Sequence, residues 1–97
     1  LAQITLQDER WLISGAMTMS NVNALLVEAE ALTMPKKFEI DLKDVSDVDT
    51  ATIALIFEWL RNAHAQKCKV VFSNFPANLI SLATLYGVIE LIPQTAH

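Results

Sequence analysis

The spacing of apolar and polar positions changes several times along this chain, and each change marks an element. Residues 2–6 alternate, with Ala2, Ile4 and Leu6 on one face, the two-residue period of a half-buried strand. Residues 7–10 read as a polar turn and residues 11–14 as the returning strand of a hairpin, after which Gly15 breaks the pattern. Ser20 or Asn21 can cap a helix whose apolar stripe is Val22, Leu25, Leu26, Ala29 and Leu32, and Pro35 with Lys36-Lys37 closes it. Residues 38–42 form a short strand, followed by a polar stretch over 43–49 and a long helix over about 50–66. Val70, Val71 and Phe72 in succession predict a strand over 69–73 that is covered on both faces. Pro76 suits the first turn of another helix, with Leu79, Leu82, Ala83 and Tyr86 as its stripe and Gly87 as its C-terminal cap. Residues 88–92 read as a final strand or extended tail ending at Pro93. Strands alternate with helices, so the chain is expected to be α/β, with a mixed sheet because it opens on a hairpin.

Length and composition then bound the functional classes. Ninety-seven residues make one domain, 1–97, and neither a linker nor an internal repeat interrupts it. A hydrophobic fraction of 53% supplies a real core. No apolar run approaches the roughly 18 residues of a membrane span, and nothing near the start resembles a signal peptide, although a chain opening at Leu1 leaves a lost leader open. Seven basic residues stand against eleven acidic ones, a net charge of −4. That balance argues against direct binding to nucleic acid or anionic lipid, since the only basic clusters are Lys36-Lys37 and Lys67 with Lys69. The single cysteine, Cys68, excludes an internal disulfide and cysteine-built metal clusters, so a cytoplasmic domain fits best.

The segment with the most chemistry is residues 41–52, which leaves a strand, carries four carboxylates and delivers a threonine to a helix start. Helix capping accounts for Asp49 and Thr50. A phosphotransfer nucleophile of the Asp-x-Asp-x-Thr kind has its two carboxylates in Asp47 and Asp49, but Ala51 fills the fifth position and the chain is short for the other loops. A calcium loop lacks its turn glycine and its late glutamate. There remains an exposed hydroxyl at Thr50, open to phosphorylation or serving as a fixed contact point.

The run DLKDVSDVDTATIALIFEWL resembles the central signature of STAS domains, the sulphate-transporter and anti-sigma-factor-antagonist module. Asp41, Leu42, Val45, Ser46, Val48, Asp49 and Thr50 match that pattern, with Asp41, Ser46 and Asp49 as its polar markers, and Gly15 matches the glycine after the early strand. Met17-Thr18 replaces the acidic residue usual shortly afterwards, and Ala51-Thr52 replaces the small residues usual after the hydroxyl. The tail LATLYGVIELIP looks most like that of the MlaB-type subunit of the Mla phospholipid-transport ABC complex. The resemblance implies a STAS-like single domain that needs no cofactor or metal and binds another protein through the helix start.

On the long helix, Ile53, Ile56, Phe57 and Leu60 fall on one face, read as the buried one. Ala51, Leu55 and Trp59 then form a second apolar ridge beside Thr52, which is either covered by the first helix or tail or left open to a partner. The family resemblance favours the second, so Thr50, Ala51, Thr52, Leu55 and Trp59 are the expected partner contacts. His64 is read as a half-buried packing residue, His97 as a terminal one, Trp11 as core, and Cys68 as lacking a catalytic partner. With only Gly15 and Gly87 present, no glycine-rich phosphate cradle is available, and the chain is expected not to be an enzyme. Two functions follow from the resemblance. One is an accessory subunit that binds and regulates the cytoplasmic ATPase of an Mla-type ABC complex, peripheral on the inner membrane through that complex and without inserting directly. The other is an anti-sigma-factor antagonist phosphorylated at Thr50.

Overall fold

A computed structural model describes residues 2–95, which places His97 outside the described residues. Strand β1 (Gln3–Gln7) turns tightly through Asp8 and Glu9 into β2 (Arg10–Met17). Helix α1 (Val22–Glu30), strand β3 (Lys37–Val48), helix α2 (Thr50–Ala65), strand β4 (Lys69–Ser73) and helix α3 (Ala77–Leu85) follow, and a 3-10 turn spans Ile89–Leu91. The sheet order is β1-β2-β3-β4, antiparallel in the opening hairpin and parallel thereafter, the mixed α/β architecture expected.

Register separates the two faces of the sheet. Trp11 pairs with Ile40 and Ile40 with Phe72, while Phe38 pairs with Val70, so these side chains share one face. Helices α1, α2 and α3 cover it with Leu25, Ala29, Leu55, Ile56, Trp59, Leu79 and Ala83, all buried in one continuous core. Trp11 anchors the centre, with its ring 5.0 Å from that of Phe38 and edge-on to Trp59 at 6.0 Å. The opposite face is polar. Arg10 contacts Asp41 at 2.7 Å, Asn74 donates to Asp41 at 3.0 Å, and the Ser73 hydroxyl donates to Glu39.

Several boundaries differ from the sequence reading. β2 does not stop before Gly15 but runs on to Met17, because Gly15, at φ +90°, absorbs a register irregularity within the ladder. β3 continues through the polar stretch to Val48, since pairing of Ser14 with Asp44 and Ala16 with Asp47 satisfies its backbone while Ser46 and Asp47 face water. Pro76 is the N-cap of α3 rather than a residue of its first turn, and Gly87 follows the C-cap at φ +71°. Residues 88–92, expected as a final strand or extended tail, instead hold the 3-10 turn Ile89–Leu91, and a bridge to β4 appears only at Gln94, which pairs with Phe72. Val71 is half-buried, so β4 is not covered on both faces.

Candidate functional site

The turn from β3 into α2 organises the site. Asp49 is the N-cap of α2, with extended backbone at φ −148° and ψ −167°. Its Oδ1 accepts the Ala51 N–H at 2.9 Å, and the Thr52 Oγ1 accepts the Asp49 N–H at 3.0 Å, a reciprocal cap that satisfies two otherwise unpaired donors. The same two side chains reach the end of β2. Asp49 Oδ2 accepts the Met19 N–H at 3.0 Å, and the Thr52 hydroxyl donates to the Met17 carbonyl. Asn21 Nδ2 donates to the Ala16 carbonyl at 3.0 Å rather than capping α1, which fixes the start of that helix against β2.

This scaffolding leaves an open groove of about 450 Å³ between α1 and α2, lined by Met19, Val22, Asn23, Leu26, Thr50, Ala51, Ala54, Leu55 and Glu58. Met19 is 70% exposed at its rim, and Thr50 and Ala54 are exposed as well. The Thr50 side chain makes no hydrogen bond among the described residues. The groove is apolar walled, with one carboxylate, Glu58, whose partner is Arg61.

Of the five expected contacts, Thr50 and Ala51 lie on this surface and Leu55 touches it only at its floor. The ridge is otherwise corrected. Thr52 and Trp59 are fully buried and Leu55 is 4% exposed, so none of the three forms an open strip. The apolar positions of α2 nearly encircle the helix, and two stripes compete for the interior. The stripe over Thr52, Leu55, Ile56, Trp59 and Ala63 wins, leaving Ile53, Phe57 and Leu60 half-buried at its side. Trp59 decides this, because it fills the space against Trp11 that a smaller side chain would leave empty. His64, turned away from that stripe, is exposed rather than half-buried. The sequence reading missed Met19, Val22, Leu26 and Ala54. Val22 and Leu26 stand four residues apart in the α1 stripe, and only the placement of α1 beside α2 shows that both remain partly open.

The carboxylates of residues 41–49 do not converge. Among the described residues no group of three His, Cys, Asp or Glu side chains could hold a metal ion. Asp41 is buried on the polar face of the sheet, far along β3 from Asp49, where it accepts from Asn74, from the Lys43 N–H at 2.9 Å and from Arg10. Burial pushes its pKa up, but the bonds from Asn74, Lys43 and Arg10 together outweigh that and hold the carboxyl below its ordinary range. Ser46 is exposed on β3. Asp41 and Asp49 thus serve the fold, one bracing the sheet and the other the helix start.

A hairpin-led, four-stranded mixed sheet with three helices, capped reciprocally at the head of α2, defines a small α/β domain. A family model described as "Mlab, STAS domain" matches residues 2–93, and the chain belongs to this STAS family. Among curated proteins, none matches the sequence significantly. Solved structures share the fold. A sulfate transporter family protein from Wolinella succinogenes aligns with TM-score 0.69 at 18% identity, over 86% of this chain and 69% of its own. The unphosphorylated anti-sigma factor antagonist SpoIIAA aligns with TM-score 0.66 at 14% identity, over 100% and 89%. A Moorella thermoacetica RsbS variant aligns with TM-score 0.67 at 16% identity, over 99% and 86%. No helix among the described residues is long and apolar enough to cross a membrane.

Proposed function

We propose that this protein is a non-enzymatic STAS accessory subunit that binds and regulates the cytoplasmic ATPase of an Mla-type phospholipid-transport ABC complex. The observation that carries the reading is the apolar α1/α2 groove, open beside the exposed Thr50 hydroxyl and Ala51. The MlaB description of the matching family model supports the choice of partner. A helix or loop of the ATPase would seat its apolar side chains against Met19, Val22, Leu26 and Ala54, with Thr50 as a polar contact at the rim. Contacts made better in one ATPase conformation than another would shift the population of that conformation, which is all that regulation requires of such a subunit. The protein would work on the cytoplasmic side of the inner membrane, held there through the complex. The test is co-purification of Thr50→Glu and Ala54→Arg variants with the ATPase. Loss of the ATPase from both is expected, and retention at wild-type level by both rules the groove out.

The second reading is an anti-sigma-factor antagonist switched by a kinase at Thr50. It is favoured by one feature, an unbonded hydroxyl exposed at the first residue of α2, and by fold likeness to SpoIIAA. Intact-mass measurement after incubation with a cognate kinase separates the two, because only this reading expects a single added phosphate that Thr50→Ala abolishes.

A further inference from the structure

The two basic clusters of the sequence are each too small to hold an anionic surface, but the sheet joins them. β3 begins at Lys37 and β4 at Lys69, and these two lysines are direct partners in the parallel ladder. The Lys69 N–H donates to the Lys36 carbonyl at 2.6 Å, and Lys67 lies two residues before Lys69, just past the end of α2. Four of the seven basic residues therefore gather at one end of a domain whose net charge is −4. All four are exposed, and none is in an ion pair among the described residues, where the pairs are Arg10 with Asp41 and Arg61 with Glu58. Glu9 and Glu39 share a surface hollow of about 440 Å³ with Lys37 and Lys69 and balance those two charges, so the positive excess of this end comes from Lys36 and Lys67 beside the hollow. Like charges directly opposite one another in a ladder are destabilising. Net charge, an average over the whole surface, conceals this segregation.

We propose that this lysine end is a peripheral binding surface for membranes rich in anionic phospholipid. The side chains present select that occupant. Lysine is depleted and arginine enriched at protein interfaces, and here there are four lysines and no arginine. Single-stranded nucleic acid asks for exposed aromatic platforms, whereas Phe38, the aromatic side chain in the hollow, is 4% exposed. Mobile ammonium groups without fixed forks suit a diffuse layer of phosphates, which attracts each lysine by a small, additive, screened increment. The patch sits at the start of β3, at the opposite end of that strand from Thr50, so membrane and groove partner can be engaged together. The proposal does not rest on the ATPase reading.

The test is co-sedimentation of the whole chain with vesicles of phosphatidylglycerol and phosphatidylcholine in equal parts, against vesicles of phosphatidylcholine alone, at low salt and at about 0.5 M salt, where the screening length falls to about 4 Å. Binding is expected only to the anionic vesicles at low salt. Lys37→Gln with Lys69→Gln should weaken it roughly 25-fold, about fivefold per lysine, whereas Lys43→Gln with Arg61→Gln, the same charge removed elsewhere, should change it about twofold or less. Circular dichroism confirms that each variant is folded. Failure to bind anionic vesicles at low salt, equal binding to phosphatidylcholine, or equal loss in the two double variants would each overturn the proposal. So would binding to polyglutamate or duplex DNA at lower concentration than to the vesicles. Because no ATPase is present, a negative result leaves the groove reading untouched.

Discussion

Trp59 distinguishes a core helix from a docking ridge, and its truncation separates the two quantitatively. The indole is fully buried against Trp11, ring to ring at 6.0 Å, and it belongs to the same cluster as Ile56, Leu55 and Ala63. Trp59→Ala removes that volume from a close-packed interior, where such truncations cost about 3–5 kcal/mol. A domain of this size has about 5–15 kcal/mol in total, so the variant should remain folded only marginally. Trp59→Phe should behave differently. The Trp59 Nε1 has no hydrogen-bond partner among the described residues, so phenylalanine sheds a buried unpaired donor worth about 1–3 kcal/mol while losing part of the ring contact. Those terms oppose each other, and the net change should stay within about 1.5 kcal/mol of wild type. Urea denaturation followed by far-ultraviolet circular dichroism measures both, with an unchanged slope confirming that only stability moved. If Trp59→Ala shifted stability by less than about 1 kcal/mol yet abolished partner binding, the indole would have to lie open, and the placement of α2 argued above would be wrong.

Other perturbations probe the site and its scaffold. Thr50→Glu adds charge at the first residue of α2, which the helix dipole favours by about 0.3–1 kcal/mol, so thermal stability should be unchanged or slightly raised while co-purification with the partner is lost. Thr52→Val keeps the shape but strands the Asp49 N–H and the Met17 carbonyl, and should cost about 1–3 kcal/mol by denaturant titration. Asp49→Ala removes acceptors for both Ala51 and Met19 and should lower the melting temperature by about 4–8 °C for each 1 kcal/mol lost, with a total loss of about 1–2 kcal/mol. Asp41 has a folded pKa below its unfolded value, so the folded state binds fewer protons. Its stabilisation is fully present above the unfolded pKa and disappears as pH falls through the folded one. A stability-versus-pH curve should therefore drop less steeply below about pH 4 in Asp41→Asn than in wild type.

The elements were legible where one periodicity dominated. β4 and the start of α2 fall where the sequence placed them, because a β-branched run before a turn and a capping aspartate before an apolar helix each admit one local solution. The ends of β2 and β3 were not legible. Gly15 and the polar run beyond Leu42 look like chain breaks in one dimension, yet each strand supplies the other with backbone partners across a parallel ladder that no local pattern announces. The candidate site failed in the same way. Thr50 was expected at an exposed helix start and Ala51 at the head of the ridge, and both line the groove, but Leu55 and Trp59 could be assigned inward or outward on a helix apolar nearly all round. Only the packing of Trp59 against Trp11 breaks that tie. The lysine end escaped for the opposite reason, since its halves lie far apart in the chain and meet only through the register of Lys37 with Lys69.

Two threonines separated by one alanine illustrate why the head of α2 suits a docking surface. Thr52, at the third helical position, turns inward, closes the cap of Asp49 and holds the Met17 carbonyl. Thr50, at the first position, is exposed and its side chain makes no hydrogen bond among the described residues. A charge introduced at the inner hydroxyl would have to be buried beside a backbone carbonyl and would break the fold. The same charge at the outer one meets water, the unpaired end of the helix and the groove rim. Asp47, exposed on β3, and Asp49, already bonded to the Ala51 and Met19 N–H groups, oppose it. Stability and surface chemistry are therefore carried by different side chains within one turn of helix. The groove can gain or lose a charge at its edge while Asp49 keeps Met19 in place as its wall.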